Sequence, residues 1–212
     1  MSEADMDKMS EALLARWSTL VPAAPEVGRG LVERYAEPHR RYHDLRHLAE
    51  VLDRIDRLAA YADDRDAVEL AGWFHDAIYD PHRSDNEEAS ARLAEELLPA
   101  SGVPDVRVAA VARLVRLTAS HSPAAGDADG AVLCDADLGV LAEEPERYGE
   151  YVADVRAEYA HVDDDAFRRG RAEVLGRLLA YDPLFHTPFG RTAWEARARH
   201  NVRAELILLS SA

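Results

Sequence analysis

Apolar residues recur at intervals of three and four along most of the chain, the spacing that places side chains on one face of an α-helix. The pattern is strongest over residues 45–60, where an apolar stripe lies opposite a charged face. Residues 9–20, 28–36, 67–79, 85–98, 104–119, 131–142, 145–159, 163–181 and 192–209 have the same periodicity, with turns rich in Pro, Gly or Asp between them. No segment alternates apolar and polar residues. The sequence therefore predicts an all-α fold of about eight to ten helices.

Length and charge narrow the range of functions. A chain of 212 residues can bury one substantial core, so we expect a single domain over residues 1–212. The net charge of -15 at pH 7 argues against a polynucleotide partner, because binding to a phosphate backbone uses clustered Lys and Arg. A small phosphorylated substrate needs only a local positive site.

The sequence also predicts a cytoplasmic location. Cys134 is the only cysteine, so no intramolecular disulfide forms, which is typical of a reducing compartment. Residues 1–10 are polar and acidic, unlike a signal peptide, and no apolar run reaches the roughly 20 residues of a membrane span. The apolar end of the last helix, residues 206–209, packs either inside the domain or at a dimer interface, so both a monomer and a homodimer are compatible with the sequence.

Two pairs of polar residues on the predicted helices have the chemistry of metal ligands. His43 and His47 are four residues apart, which places them on one helical face if the helix starts early enough. A buried neutral imidazole is a good metal ligand, although two histidines that fill the core or cap the helix would have the same pattern. His75 lies on the apolar stripe of its helix and Asp76 is about a quarter of a turn away, so the pair is able to chelate one ion near the helix end.

A third candidate lies in an otherwise apolar segment that contains Asp135 and Asp137. An unpaired buried carboxylate costs several kcal/mol, so a buried Asp in this segment requires a cation. Asp137 shares the apolar stripe with Leu133 and Val140, which makes it the better ligand. Asp135 is either a supporting partner of the site or an N-terminal helix cap.

The order of these motifs, His, then His-Asp, then Asp on a helical chain, resembles the HD superfamily of metal-dependent phosphohydrolases. Residues 42–47, Tyr-His-Asp-Leu-Arg-His, are similar to the Tyr-His-Asn-x-x-His segment of the cyclic-nucleotide phosphodiesterases in that superfamily. In that segment the first His is the general acid and the second binds metal. The chain also resembles a bacterial group of predicted metal-dependent HD superfamily phosphohydrolases over about residues 9–209, through segments 42–47, 73–81, 85–91, 134–138 and 195–201.

The resemblance implies an HD-type helical domain, with a metal-site core in residues 39–142 and C-terminal helices over residues 145–209 packed on it. The implied metal ligands are His47, His75, Asp76 and Asp137, and the implied catalytic residues are His43 and Asp76. Such a set of ligands accepts Mn, Fe, Co, Ni, Zn and sometimes Mg, so the identity of the divalent metal stays open.

Other residues near these motifs have two explanations each. His121, at the end of a predicted helix, is either a second-metal or substrate-facing residue or a helix-terminal His favoured by the dipole. Glu87 supports the site or belongs to an acidic first helical turn. Arg40, Arg41 and Arg46 bind a substrate phosphate or form surface ion pairs.

Together these features predict a metal-dependent phosphohydrolase that cleaves a phosphate ester of a small, nucleotide-like substrate with metal-activated water. One alternative is an HD-fold di-iron oxygenase, which would need His121 with His43 or His82 as further ligands. The other is a non-catalytic protein in which the metal holds the helices together and the surface binds a nucleotide or a partner.

Overall fold

The computed structural model describes residues 3–211, and every regular element in that range is helical. Eleven α-helices follow one another: α1 (Glu3–Leu20), α2 (Pro25–Tyr35), α3 (Leu45–Leu58), α4 (Arg65–Phe74), α5 (Asn86–Ala100), α6 (Asp105–Leu117), α7 (Ala128–Asp137), α8 (Pro145–Glu158), α9 (Asp164–Ala180), α10 (Pro188–Ala193) and α11 (Glu195–Ser211). Two 3₁₀ turns, Ala59–Tyr61 and Leu138–Ala142, continue α3 and α7. The predicted all-α class is confirmed, with one helix more than expected. None of the helices within residues 3–211 has both the length and the apolar composition that crossing a lipid bilayer requires.

The extra helix comes from the C-terminal segment, where one helix was expected over residues 192–209. Thr187 caps α10 by accepting a hydrogen bond from the Gly190 N–H at 2.9 Å, and Pro188 occupies the first helical position. The Glu195 carboxylate accepts hydrogen bonds from the N–H groups of Leu184 and Phe185, so α11 begins at a residue that also anchors the preceding loop. These local contacts divide the segment into α10 and α11.

The start of α7 also differs from its prediction. A surface loop was expected up to Gly130, but α7 begins at Ala128 because the Asp127 carboxylate accepts a hydrogen bond from the Gly130 N–H at 3.0 Å. The helix then ends at Asp137, earlier than the predicted residue 142, and the chain continues as a 3₁₀ turn. Asp137 is therefore a helix-terminal residue.

Two hydrophobic clusters fill the interior. The first lies among α1 to α7 and includes Trp17, Leu48, Ile55 and Trp73. The second is formed mainly by residues of α8 to α11, with Tyr42 and the Leu138–Ala142 turn. Trp194 packs against both clusters. Tyr42 belongs to the second cluster and Leu45 to the first, so the segment that leads into α3 lies where the two clusters meet.

Gly72 lies at a close crossing of α3 and α4. A Cβ added at Gly72 would lie 2.7 Å from Ile55 Cδ1 and 3.3 Å from Leu52 Cδ2, both on α3. A side chain at this position would push the two helices apart. The position of α4 relative to α3 thus depends on a glycine.

Gly28 and Gly30 on α2 provide a matched pair of stability predictions. A Cβ at Gly28 would overlap the buried indole ring of Trp17, whereas a Cβ at Gly30 meets nothing within 4 Å. We expect Gly28→Ala to lower the free energy of unfolding by about 1–3 kcal/mol, because overpacking exceeds the gain in helix propensity. Gly30→Ala should raise it by about 0.5–1 kcal/mol. Urea unfolding of both variants measures the difference, and equal effects would contradict the close contact of α1 with α2.

Candidate metal centre

Three helices bring four polar side chains to one point in the interior. His47 lies in the first turn of α3, which begins after Asp44 because the Asp44 carboxylate accepts hydrogen bonds from two backbone N–H groups of that turn. His75 and Asp76 directly follow α4, and Asp137 is the last residue of α7. Since α3 packs against both α4 and α7, the four side chains meet.

The turn that carries His75 and Asp76 is a correction to the predicted helix over residues 67–79, because α4 ends at Phe74. The Asp76 N–H donates to the Tyr35 hydroxyl at 3.2 Å instead of continuing the helix. The carbonyl oxygen of Asp76 accepts a hydrogen bond from Arg40 at 2.7 Å. Partners from a distant part of the sequence therefore replace the helical hydrogen bonds and leave both candidate ligands on a helix end.

The distances within the cluster fit one metal ion. His47 Nε2 lies 3.0 Å from His75 Nε2 and 3.3 Å from Asp137 Oδ1. Asp76 Oδ2 lies 3.4 Å from His47 Nε2 and 3.0 Å from His75 Nε2. Ligands at about 2.0–2.2 Å from a shared ion lie roughly 3–3.6 Å apart, so the cluster has the spacing of a coordination sphere. Among the described residues, His47, His75 and Asp137 present ligand atoms that all lie within 4.8 Å of one another and could hold an ion.

The hydrogen bonding of the His75 imidazole also suits a metal ligand. His75 Nδ1 lies 2.8 Å from the Gly72 carbonyl oxygen, to which it donates, so His75 Nε2 presents a lone pair to the cluster. Metal-binding histidines commonly donate their other N–H to a carbonyl in this way. Two imidazole nitrogens at 3.0 Å repel each other unless a proton or a metal ion lies between them. The donor set therefore fits a divalent cation.

The pKa values of the cluster residues also indicate that the site requires a cation. Burial alone would lower the pKa of His47, but hydrogen bonds to Asp137 and Asp76 outweigh burial and raise the pKa to about 9. Burial would raise the pKa of the Asp76 carboxyl, but the charge of His75 and the neighbouring imidazoles hold it well below its usual range. The pKa of Asp137 is likewise held well below its usual range by His121 and His47, against the effect of burial. Two ionised carboxylates with little exposure thus require a cation, supplied by protons or by a metal.

His121 contacts the outer oxygen of Asp137, with Nε2 at 2.7 Å from Oδ2. Its backbone has a φ of 52°, in the left-handed region that non-glycine residues seldom adopt. The turn is supported by the Tyr181 hydroxyl, which donates to the Ser120 carbonyl oxygen at 2.8 Å. Such strained residues concentrate at functional sites, so His121 is well placed to orient Asp137.

His43 precedes α3 and is not on the same helical face as His47, because the helix begins only at Leu45. Even so, the rings of His43 and His47 are 5.6 Å apart. His43 Nδ1 lies 2.7 Å from Glu158 Oε2, and its ring stacks on Tyr79 at a centroid distance of 4.1 Å. His43 is therefore fixed at the edge of the cluster, with Nε2 as its remaining nitrogen.

Glu158, the last residue of α8, is the site residue that sequence reasoning missed. Its Oε1 accepts the N–H groups of residues 41, 42 and 43, and its Oε2 accepts the Tyr79 hydroxyl at 2.8 Å in addition to His43. A signal was present in the sequence, since Glu158 continues the apolar stripe of Tyr151 and Val155. A glutamate on a buried stripe requires partners, and these partners lie in the first motif.

The acid stability of the protein should depend on Glu158. Burial would raise its pKa, but the charge and hydrogen bond of His43, together with the backbone N–H groups, lower the pKa from 4.5 to about 2. A folded-state pKa below the unfolded value stabilises the protein above pH 4.5, and the stabilisation is lost as the pH falls toward 2. We expect Glu158→Gln to lower the free energy of unfolding by about 3 kcal/mol at pH 6 and by much less near pH 3.

Urea unfolding of wild type and Glu158→Gln at several pH values tests this expectation. The control is Glu150→Gln on the same helix, because Glu150 is an exposed partner of Arg46 and should change stability by less than about 1 kcal/mol at each pH. A loss of stability in Glu158→Gln that is independent of pH would contradict a buried charged carboxylate.

Arg40 was considered for phosphate binding, but its guanidinium is buried beneath the site. Its donors bind the carbonyl oxygens of His43, Asp76 and Ala77 and the carboxylate of Glu37. Arg40 therefore stabilises the turn after α4 instead of offering free donors to a substrate.

The other two arginines of the first motif differ in their contacts. Arg46 forms an ion pair with Asp154 at 2.6 Å and with Glu150 at 3.2 Å, both on α8. Arg41 is exposed, and its backbone N–H donates to Glu158. Arg46 therefore connects α3 to α8, whereas the described contact of Arg41 is the hydrogen bond from its backbone to Glu158.

The remaining candidate residues, Asp135, Glu87 and His82, lie in three different environments. Asp135 is fully buried, and its carboxylate accepts the N–H groups of His186 and Thr187 and the Thr187 hydroxyl, so it anchors the loop before α10. Glu87 lies in the first turn of α5 and lines the cavity in front of Asp137. His82 packs against His161, with ring centroids 3.9 Å apart, and lines a different cavity.

Of the cluster residues, Asp137 lines a cavity of about 510 Å³, together with His43, Glu87 and His121 among others. A cavity of this size accommodates a small molecule beside the candidate ligands. No protein-family model, curated protein or solved structure matches the chain, so its chemistry has to be inferred from the site itself.

Proposed function

We propose that this protein is a metal-dependent phosphohydrolase of the HD type, which cleaves a phosphate ester of a small substrate. The observation that carries the proposal is the position of His43, held by a buried glutamate beside a cluster of two histidines and two aspartates that fits a divalent ion. A metal site alone is compatible with a structural role. A metal site with an oriented acid–base group and an open cavity is what hydrolysis requires.

His47, His75, Asp76 and Asp137 would hold the ion, which supplies activation of water and polarisation of a phosphoryl oxygen. The water oxygen forms a new bond to phosphorus, and the bond from phosphorus to the ester oxygen breaks. His43 Nε2 donates the proton that the ester oxygen needs to leave as an alcohol, because Nδ1 is engaged by Glu158. The Asp76 carboxylate would accept the proton of the attacking water, because a bound ion would make that water more acidic. The number of protons is thus unchanged, and a later proton transfer restores both residues.

The test is metal-dependent turnover by the wild-type protein. Protein purified without chelator is analysed for metal content, treated with chelator, reloaded with Mn, Fe, Co or Zn, and assayed with a panel of phosphate esters. About one ion per chain, with hydrolysis lost on chelation and restored by a metal, is the expected result. Two irons per chain would favour the di-iron oxygenase instead. Absence of metal binding and turnover under all conditions would reject the proposal and favour a binding protein.

A further inference from the structure

A second cavity of about 410 Å³ adjoins the one in front of the metal cluster. His43, Tyr42, Tyr151 and Val174 line both cavities, so the two spaces meet beside the candidate proton donor. The first cavity contains the carboxylate and imidazole groups of Asp137 and His121. The second lies between α8 and α9 and has a different chemistry.

The lining of the second cavity is almost entirely apolar or aromatic, with Val155, Tyr159, Val162, Phe167 and Val174 among its residues. Val174 is 39% exposed and lines both cavities, so it adds apolar surface where the two spaces meet. An occupant of this space would gain by removing apolar surface from water.

The one strong charge in the lining is already neutralised. Arg171 forms an ion pair with Glu205 at 2.8 Å, and its guanidinium lies over the ring of Tyr151 at 4.9 Å from the centroid. Its side chain is only 9% exposed. The cavity therefore offers no free cation to a second phosphate group, and apart from His43 and Arg171 its polar side-chain groups are the hydroxyls of three tyrosines.

We propose that this second cavity, lined by α8 and α9, binds the leaving group, and that the substrate is a phosphate ester of an uncharged, apolar or aromatic alcohol. This inference depends on the proposed phosphohydrolase function. With the phosphate at the metal cluster, the ester oxygen lies at the boundary of the two cavities, where His43 protonates it. The alcohol that is released lies in the second cavity. The specificity differs from that expected for a sugar phosphate or a nucleoside polyphosphate.

Two glycines of α9 allow a matched test. Gly170 lines the second cavity, and a Cβ added there meets nothing within 4 Å, so the backbone tolerates a side chain at this position and Gly170→Leu adds bulk beside the cavity. Gly176 lies on the same helix, and a Cβ there also meets nothing within 4 Å. Both substitutions should favour the helix, and equal melting temperatures confirm that each variant folds.

The binding experiment uses Mn-loaded protein with phenylphosphonate and methylphosphonate, measured by calorimetry. We expect wild type and Gly176→Leu to bind phenylphosphonate at least tenfold more tightly than methylphosphonate. Gly170→Leu should lose that preference. Equal affinities in wild type, a preference that survives in Gly170→Leu, or no binding of either phosphonate would overturn the proposal.

Turnover separates this inference from the proposed function. Benzyl phosphate and glycerol 1-phosphate have leaving groups that are both primary alcohols but differ in polarity, and we expect wild type to prefer benzyl phosphate at least tenfold in kcat/KM. Hydrolysis without that preference would reject the apolar leaving-group site and leave the phosphohydrolase intact. A phenyl preference in binding that disappears in Gly170→Leu, with no turnover of any ester, would show that the cavity binds apolar groups but would reject both the hydrolase and the leaving-group assignment.

Discussion

Replacing Asp137 by Asn should remove the bound metal and lower phosphoester turnover by at least about 10³-fold. The metal is expected to supply several kcal/mol of transition-state stabilisation, and each 1.36 kcal/mol corresponds to a factor of ten in rate. An amide is neutral, so it no longer balances the charge of the ion. It also weakens the contacts that Asp137 makes with His47 and His121. Metal content per chain and kcat are the two measurements.

The chain contains a matched control two residues away. Asp135 is a buried aspartate on the same helix, α7, but its hydrogen bonds go to residues 186 and 187 and not to the cluster. Asp135→Asn should keep the metal and most of the turnover, provided that the variant is folded by circular dichroism. Loss of metal in Asp135→Asn with retention in Asp137→Asn would show that the ligand has been misassigned.

The candidate ligands could be predicted from the sequence because each polar side chain interrupts an apolar stripe. His47, His75 and Asp137 lie on stripes whose other members are buried, and helices of this length place stripe positions in the interior. Local periodicity was enough to predict that the two histidines are buried and that Asp137 lies beside the core. That they meet at one point was suggested by the family resemblance, and the packing of α3 against α4 and α7 provides the physical reason.

The end of α4 and the role of Arg40 could not be predicted in the same way. The apolar pattern continues through Ile78 and Tyr79, so periodicity alone extends the helix too far. The hydrogen bonds that end it come from Tyr35 and Arg40, which are 41 and 36 residues from Asp76 in sequence. The sequence alone does not distinguish a buried arginine that donates to carbonyl groups from an arginine that binds a phosphate.

Replacing His43 by Ala should leave metal content unchanged and lower kcat by about 10²–10⁴-fold, the usual contribution of a general acid. The metal should remain because His43 Nδ1 is bound to Glu158, and the ligand donor atoms belong to other residues. An ester with a very acidic leaving group, such as p-nitrophenyl phosphate, should lose less rate than an alkyl phosphate, because its oxygen departs without protonation. An equal loss with both esters would contradict the role of His43 as proton donor.

A substitution of Glu158, the hydrogen-bond partner of His43, also tests the role of His43 as proton donor. Glu158→Gln keeps an oxygen for the backbone N–H groups of residues 41–43 but removes the charge that faces His43, so kcat should fall by about 10–10²-fold with little change in KM. If Glu158 acts through His43, the same substitution in a His43→Ala background should change kcat by less than about twofold, because the group it orients is gone. A purely structural glutamate would lower kcat by the same factor in both backgrounds. The double variant therefore distinguishes a buried carboxylate that only supports the fold from one that also positions the proton donor.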